Sequence, residues 1–341
     1  MKGEDETGLI KQAMFPNRIE LAHKNTPIEK LERLSKSVGK NIFIKRDDLT
    51  GIELSGNKVR KLEYALGEAM NLDADVIITC GAIQSNHARA TAVAARKLGL
   101  KIHLVLRGEE PEHISGNLLL NRILGAEITF LSAEAFSNHQ AVMDSIKADY
   151  AKVGLKAYII PIGASNGIGN FGYYNAYQEI LHQEVEMNTT FDAIVCTVGS
   201  GGTYSGLFLG NHFNAYRKKL IGYSVGGSST SFIEQSKKIL SDSNEILSHL
   251  SGGGLETFAD AHTIIDDFQG SGYAQTSIED IAFIKYVAEQ EGLILDPVYT
   301  GKAFKGMMTQ IKEGMYDDCT NILFIHTGGI FGLEAFESWF K

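Results

Sequence analysis

Lys58 stands where a local rule is broken three times. It lies in Leu54-Ser55-Gly56-Asn57-Lys58-Val59-Arg60-Lys61-Leu62-Glu63-Tyr64, after the strand-like run Asn41-Ile42-Phe43-Ile44-Lys45 and the acidic turn Arg46-Asp47-Asp48-Leu49. Leu62, Ala65, Leu66 and Ala69 fall on one face of a helical pattern that opens here. Lys58, Arg60 and Lys61 therefore sit in or just before its first turn, where the peptide dipoles present positive potential and cations are disfavoured. A compensating anion such as a phosphate resolves the conflict, and a lysine beside it can form a Schiff base with a carbonyl cofactor. The plainer alternative is a solvated basic helix start.

A matching anion site is offered by Gly199-Ser200-Gly201-Gly202-Thr203-Tyr204-Ser205-Gly206, which follows a strand pattern and precedes a helical one. Small residues there let backbone N–H groups close around a phosphate at a helix N-terminus. The dinucleotide fingerprint fails at Tyr204, and the nucleotide P-loop fails because Leu207 and Phe208 stand where Lys and Ser/Thr belong. What remains is a cup for a single phosphate, or a tight turn without a ligand. In Gly81-Ala82-Ile83-Gln84-Ser85-Asn86-His87, Ser85 has the residue type of a helix N-cap; the functional alternative is a carboxylate-binding loop with Ser85 relaying protons. Tyr273, in Gly270-Ser271-Gly272-Tyr273, and Tyr299, in Asp296-Pro297-Val298-Tyr299-Thr300-Gly301, are loop tyrosines that either pack or face a pocket. His326-Thr327-Gly328-Gly329 ends the last strand pattern. Thr327 can satisfy backbone groups or face a ligand, and His326 and His87 read equally as core or active histidines.

The elements that must position these loops alternate along the chain. Strand patterns at 76–80, 102–106, 127–131 and 157–161 are separated by helical patterns at about 85–98, 114–124 and 137–153. The alternation resumes with a helix over about 171–186, a strand at 193–197, a helix to about Lys218 and a strand at 220–225. A helix near 231–249 then runs into Ser251-Gly252-Gly253-Gly254, Ser277 opens another to Gln290 with Asp280 as an imperfect capping box, and 321–326 is the last strand before a short terminal helix. Short continuous apolar strands between glycine-closed helices mark parallel sheets covered on both faces. The fold class is α/β, two doubly wound sheets, with the chemistry in the cleft between them.

A chain of 341 residues with 44% hydrophobic and 21% charged residues suits two globular domains. The net charge of −9 argues against a nucleic-acid surface but not against a small anion. The acidic start, Met1 to Glu6, has no apolar core of a secretory signal, and no apolar run is long enough to span a bilayer. Cys80, Cys196 and Cys319 are widely spaced, so zinc is not expected, and buried free thiols in a reducing cytoplasm are.

Taken together, Lys45-Arg46-Asp47-Asp48-Leu49, Ser55 to Glu63, Gln84-Ser85-Asn86-His87, Gly199 to Thr203, Leu295 to Lys302 and His326 to Gly329 carry a resemblance that spans nearly the whole chain. The sequence resembles the fold-type II pyridoxal-phosphate enzymes of the tryptophan synthase β-like architecture, in the D-cysteine desulfhydrase and 1-aminocyclopropane-1-carboxylate (ACC) deaminase group. One departure is Asn25, where the group has proline; it reads as a loop change without functional weight. The resemblance implies pyridoxal 5′-phosphate on Lys58, Asn86 at its phenolic oxygen, and Lys61 with Gly199, Ser200, Gly201, Gly202 and Thr203 at its phosphate. It implies Gln84, Ser85, Asn86 and His87 at the substrate carboxylate, with Ser85, Tyr273 and Tyr299 catalytic beside Lys58. It also implies a PLP domain of residues 1–61 and 169–341, an inserted smaller domain of 62–168, a small amino-acid substrate, no metal, and a homodimer.

The activity expected is α,β-elimination on D-cysteine, with ACC ring opening or another β-substituted substrate such as L-cysteate as alternatives. Thr300 and Thr327 favour the first, since the deaminase branch has glutamate and leucine at these positions and a carboxylate at the pyridine nitrogen. A nicotinamide oxidoreductase is weakened by the missing fingerprint, and a binding protein without catalysis requires an unmodified Lys58. Arg60→Ala is expected to be much milder than Lys58→Ala.

Overall fold

The apolar strand runs are continuous because their alternate residues enter different cores. In the computed structural model, which describes residues 15–251 and 261–340, the strands in chain order are β1 (Ile28–Lys30), β2 (Asn41–Lys45), β3 (Val76–Ala82), β4 (Lys101–Arg107), β5 (Glu127–Leu131), β6 (Ala157–Ile159), β7 (Ala193–Val198), β8 (Lys219–Ser224), β9 (Ile264–Ile265) and β10 (Asn321–Ile325). The helices are α1 (Glu32–Val38), α2 (Lys58–Asn71), α3 (Asn86–Lys97), α4 (Gly116–Ile123), α5 (His139–Lys152), α6 (Gly167–Glu186), α7 (Gly202–Phe213), α8 (Ser229–Ser251), α9 (Ile278–Glu291) and α10 (Thr300–Lys312).

Six strands form a sheet in the order β1-β2-β10-β7-β8-β9, parallel except for the edge strand β1, and four form a parallel sheet in the order β5-β4-β3-β6. Along β2, Phe43 enters the large core between the sheets, while Ile42 and Ile44 join a second core with α9 and α10 residues such as Ile284 and Phe304. Along β3, Ile77 enters the same large core, while Val76, Ile78 and Cys80 pack with Met143 of α5 on the outer side. Both faces of each sheet are covered, which is why their strands lack a polar alternation.

Several elements differ from the expected ones. The helix α6 starts at Gly167, four residues before Phe171, because Asn166 caps it by accepting the Gly169 N–H at 3.1 Å. Helix α7 stops at Phe213 rather than near Lys218, and the chain end from Ile330 to Phe340 is 3₁₀ rather than α-helical. The capping box of α9 is complete, since Ser277 and Asp280 each bond the other's backbone N–H. The acidic start and the glycines 252–254 lie outside the described residues. Among those residues no helix is long and apolar enough to cross a membrane.

The second of the three cations at the start of α2 has a structural reason. Arg60 is buried and makes paired bonds to Asp47, at 2.8 Å each, and to Glu179, at 2.9 and 3.0 Å. Lys45 donates to Glu179 at 2.6 Å and the Tyr173 hydroxyl to Asp47 at 2.6 Å. Burial alone would raise the Asp47 carboxyl, yet Arg60 and Lys45 hold it at about 2. The expectation that Arg60→Ala is much milder than Lys58→Ala concerns turnover; for the fold the substitution removes the cation shared by two buried carboxylates. It should lower unfolding free energy by about 3–5 kcal/mol, read as a fall in the urea midpoint. The Asp47 pKa is depressed, so its contribution is complete at neutral pH and drains away as pH falls from the ordinary carboxylate range toward about 2.

Candidate active site

Strand order reverses once in each sheet, and both reversals open on the same cavity. In the smaller sheet the chain goes from β3 outward to β4 and β5, then returns to place β6 on the other side of β3. In the larger it goes from β7 to β8 and β9, then returns to place β10 on the other side of β7. Crevices at the C-terminal ends of such strands are where ligands bind in open α/β sheets. The loops after β3, β6, β7 and β10 all line one cavity of about 270 Å³.

Lys58, the first residue of α2, faces this cavity. Its backbone is fixed from two sides. The Asn57 amide donates to Thr203 Oγ1 at 2.8 Å, and the Asn57 N–H donates to the Thr327 carbonyl at 3.2 Å. Gly56 has φ +108° and lies so near the Thr327 carbonyl that a Cβ would come within 2.7 Å of it, so only glycine allows this entry. Among the described residues no carboxylate neutralises the amine, and burial lowers its pKa to about 8, which raises the neutral, nucleophilic fraction near neutral pH far above that of an ordinary lysine. The Lys61 amine is also held well below the usual lysine value, by burial and by Lys58.

The Gly199–Thr203 loop ends at the N-terminus of α7, where Gly201 has φ +76° and Gly199, Ser200, Gly201 and Thr203 face the cavity. Across it, Ser85 and Asn86 open α3. Ser85 is the N-cap, accepting the Ala88 N–H at 3.1 Å, and it also lines the cavity. Asn86 accepts from the Asn117 amide at 2.9 Å, and its own amide N–H groups remain for a ligand oxygen. His87 lies on the wall with Nε2 2.8 Å from Thr79 Oγ1. Thr79 donates to the Ile160 carbonyl, so it accepts from His87, and the ring is neutral because burial and the two lysines depress its pKa.

Tyr273 and Tyr299 come together with their hydroxyls hydrogen-bonded. Burial raises both phenols, and the Arg107 guanidinium lies 5.8 Å from the Tyr273 ring centroid. Thr327 also lines the cavity.

Four expected residues do not reach the wall. Gln84 is turned away, donating to the Ser115 carbonyl at 3.1 Å and accepting the Asn117 N–H at 2.8 Å. The Thr300 hydroxyl is fully buried, donating to Asp296 Oδ1 and accepting the Asp296 N–H, each at 2.8 Å. Lys61 acts at one remove: it donates to Ser165 Oγ at 3.2 Å, which lies 2.9 Å from Ser200 Oγ. Gly202 lies behind the loop, its N–H donating to Ser165 Oγ at 3.2 Å.

Sequence reasoning missed Asn57, Ser165, Arg107 and Thr197. Thr197, the last residue but one of β7, lines the cavity, and its buried hydroxyl has no hydrogen-bond partner. No spacing signal marks these residues; only the pairing of Ala82 with Arg107 across β3 and β4 brings that arginine to the Gly81–His87 loop.

Pyridoxal phosphate fits what is present. The α7 N-terminus offers N–H groups and hydroxyls to a phosphate, the orphaned Thr197 hydroxyl needs a partner, and the Lys58 amine is unpaired. The family model of pyridoxal-phosphate dependent enzymes matches residues 19–328. A Thermotoga maritima protein provisionally named 1-aminocyclopropane-1-carboxylate deaminase is 46% identical, covering 93% of this chain and 98% of its own. A Serratia proteamaculans protein named D-cysteine desulfhydrase is 37% identical, covering 96% and 98%. A solved structure described as an ACC deaminase homologue superposes with a TM-score of 0.86 at 39% identity, over 96% of both chains.

Proposed function

The chain belongs to the family of pyridoxal-phosphate dependent enzymes, and on that premise we propose that it converts D-cysteine and water to pyruvate, ammonia and hydrogen sulfide. Its cofactor is pyridoxal 5′-phosphate, which supplies a carbonyl for the substrate amine and a ring that accepts the electrons of the broken Cα–H bond. The observation that supports the choice of D-cysteine is the wall itself: among the described residues, none that lines the cavity is Asp or Glu.

Each wall residue then has a task. The α7 N-terminus and the loop before it hold the phosphate, with Lys61 reaching that loop through Ser165. Asn86 orients the ring through its phenolic oxygen, and the first turn of α3 binds the substrate carboxylate with Ser85. Lys58, its amine near pKa 8 by burial, takes the proton from Cα. The Tyr273–Tyr299 pair donates a proton to the departing sulfur, as two buried phenols kept neutral can. Residues 62–168 are read as the smaller domain, inserted between 1–61 and 169–341, in keeping with a small sheet whose strands all fall within 76–159. Three buried, unpaired cysteines suit a reducing compartment, the cytoplasm.

The first test is spectroscopic and chemical. The purified protein should absorb at the violet edge, lose that band to borohydride, and release sulfide and pyruvate in equal amounts from D-cysteine but not from L-cysteine. A colourless protein that added pyridoxal phosphate does not turn yellow would end this reading. Tyr273→Phe and Tyr299→Phe should each lower kcat by about 10²-fold, the scale of one acid–base contribution, with the melting temperature nearly unchanged because the ring remains. Equal turnover in both variants would return the tyrosines to packing. ACC deaminase is the second reading, favoured by the name of the relative at 46% identity.

A further inference from the structure

A buried lysine that touches neither cavity nor carboxylate stands directly behind the tyrosine pair. Lys302 is 1% exposed. Its ammonium donates to the Gln269 carbonyl at 2.7 Å and to the Gly272 carbonyl at 2.9 Å, the residue just before Tyr273. The nearby carboxylates are engaged elsewhere. Asp280 takes Lys305 at 2.7 Å, and Asp296 accepts the N–H groups of Val298, Tyr299 and Thr300. Enclosing an ammonium this way is unfavourable unless its donors are satisfied, and a methionine would fill the same space without that burden.

The loop has reason to need a tether. Gly270, Gly272 and Ala274 have φ of +64°, +131° and +59°, so three of five consecutive residues lie in the left-handed half of conformational space. Such a segment does not hold one shape through local preference. On its far side Gly226 touches Tyr273 so closely that a Cβ there would come within 2.5 Å of the tyrosine Cβ. Tyr299 immediately precedes α10, and Lys302 follows it by three residues, so the two share one helix face. The start of α10 thus has one tyrosine as its N-cap and grips, through Lys302, the loop that carries the other.

We propose that Lys302 is a positioning residue for the tyrosine pair, holding the Tyr273 hydroxyl against that of Tyr299 by tethering the loop before it. This rests on the reading that the pair serves the leaving group. Misplacing a catalytic group by about 1 Å costs up to about 10²-fold in rate, so the tether is worth a large factor without touching substrate.

The test is a double-mutant cycle on the holoenzyme, joined to a probe that does not depend on turnover. Lys302→Met should lower kcat at least about tenfold with KM little changed and the violet-edge band intact. In a Tyr273→Phe background the same substitution should change kcat less than about twofold, since no hydroxyl is left to misplace. In protein labelled with carbon-13 at the tyrosine phenol carbon, the Tyr273 and Tyr299 signals should move in Lys302→Met; each is assigned by its absence in the corresponding Phe variant. Should Lys302→Met not fold, Lys302→Gln, one bond shorter and so unable to hold both loop carbonyls as the ammonium does, carries the same cycle. An equal loss of kcat in both backgrounds, or unmoved phenol signals, overturns the proposal. If Tyr273→Phe itself turns over normally, the reading of the pair fails separately, and the phenol signals alone then decide for or against Lys302.

Discussion

Lys58→Ala should remove turnover by at least about 10³-fold, combining the loss of a covalent anchor with that of a general base. The violet-edge band should be absent, and borohydride should fix no cofactor to the chain. Among the described residues no second lysine lines the cavity, and Lys61 lies off the wall and is engaged with Ser165 at 3.2 Å. The fold should survive, since Lys58 contacts no carboxylate and only burial acts on its pKa. The amine titrates near 8 in the folded chain and higher when unfolded, so below that pH the folded state carries a penalty. In protein freed of cofactor, unfolding free energy should rise between about pH 8 and pH 10, and Lys58→Ala should flatten that rise. Near-normal activity of the alanine variant without added amine would exclude Lys58 from the chemistry.

The sheets were legible because their strands obey one physical rule throughout: a strand buried on both faces reads as an unbroken apolar run, as Val76 to Cys80 does. The edge strands β1 and β9, of three and two residues, carry too few side chains to show a period. Helix α10 was hidden by its start, since the Asp296–Gly301 segment looks like a loop until Asp296 accepts three successive N–H groups and turns it into a helix N-terminus. The anion loop and Lys58 were legible through a violated dipole rule, but that rule could not divide the three cations. Lys58 faces the cavity, Lys61 reaches it through Ser165, and Arg60 points the other way into Asp47 and Glu179. Sequence distance hid the last partnership: Glu179 lies 119 residues from Arg60. Gln84 and Thr300, expected at the site from the resemblance, turn to Ser115 and Asn117 and to Asp296, contacts that no spacing signal in the sequence marks.

D-cysteine should be used with a kcat/KM at least about a hundredfold above that for ACC, a barrier difference of ~2.7 kcal/mol. The difference between the two substrates turns on charge at the ring nitrogen. A carboxylate beside a pyridine nitrogen keeps it protonated, because an adjacent negative charge favours the cationic form, and a protonated ring withdraws electrons strongly. Opening an unactivated cyclopropane needs that strength. Expelling thiolate from the carbon next to Cα does not, since the leaving group takes the electrons as the proton is removed. This chain offers the cavity a Thr327 hydroxyl and no carboxylate on its lining. Thr300 adds no charge, and its hydroxyl is bonded at 2.8 Å to Asp296. The Asp296 carboxylate itself accepts the N–H groups of Val298, Tyr299 and Thr300 and is absent from the wall. Thr300→Glu with Thr327→Leu should move the preference toward ACC. It should also lower stability, since a second carboxylate then enters beside buried Asp296, whose pKa burial already raises. The two substitutions are to be read together, because residues that act as a unit do not contribute additively. Pyruvate formed from D-cysteine and 2-oxobutanoate formed from ACC, measured side by side on the unmutated enzyme, decide the matter: faster release of 2-oxobutanoate would replace the desulfhydrase reading with the deaminase one.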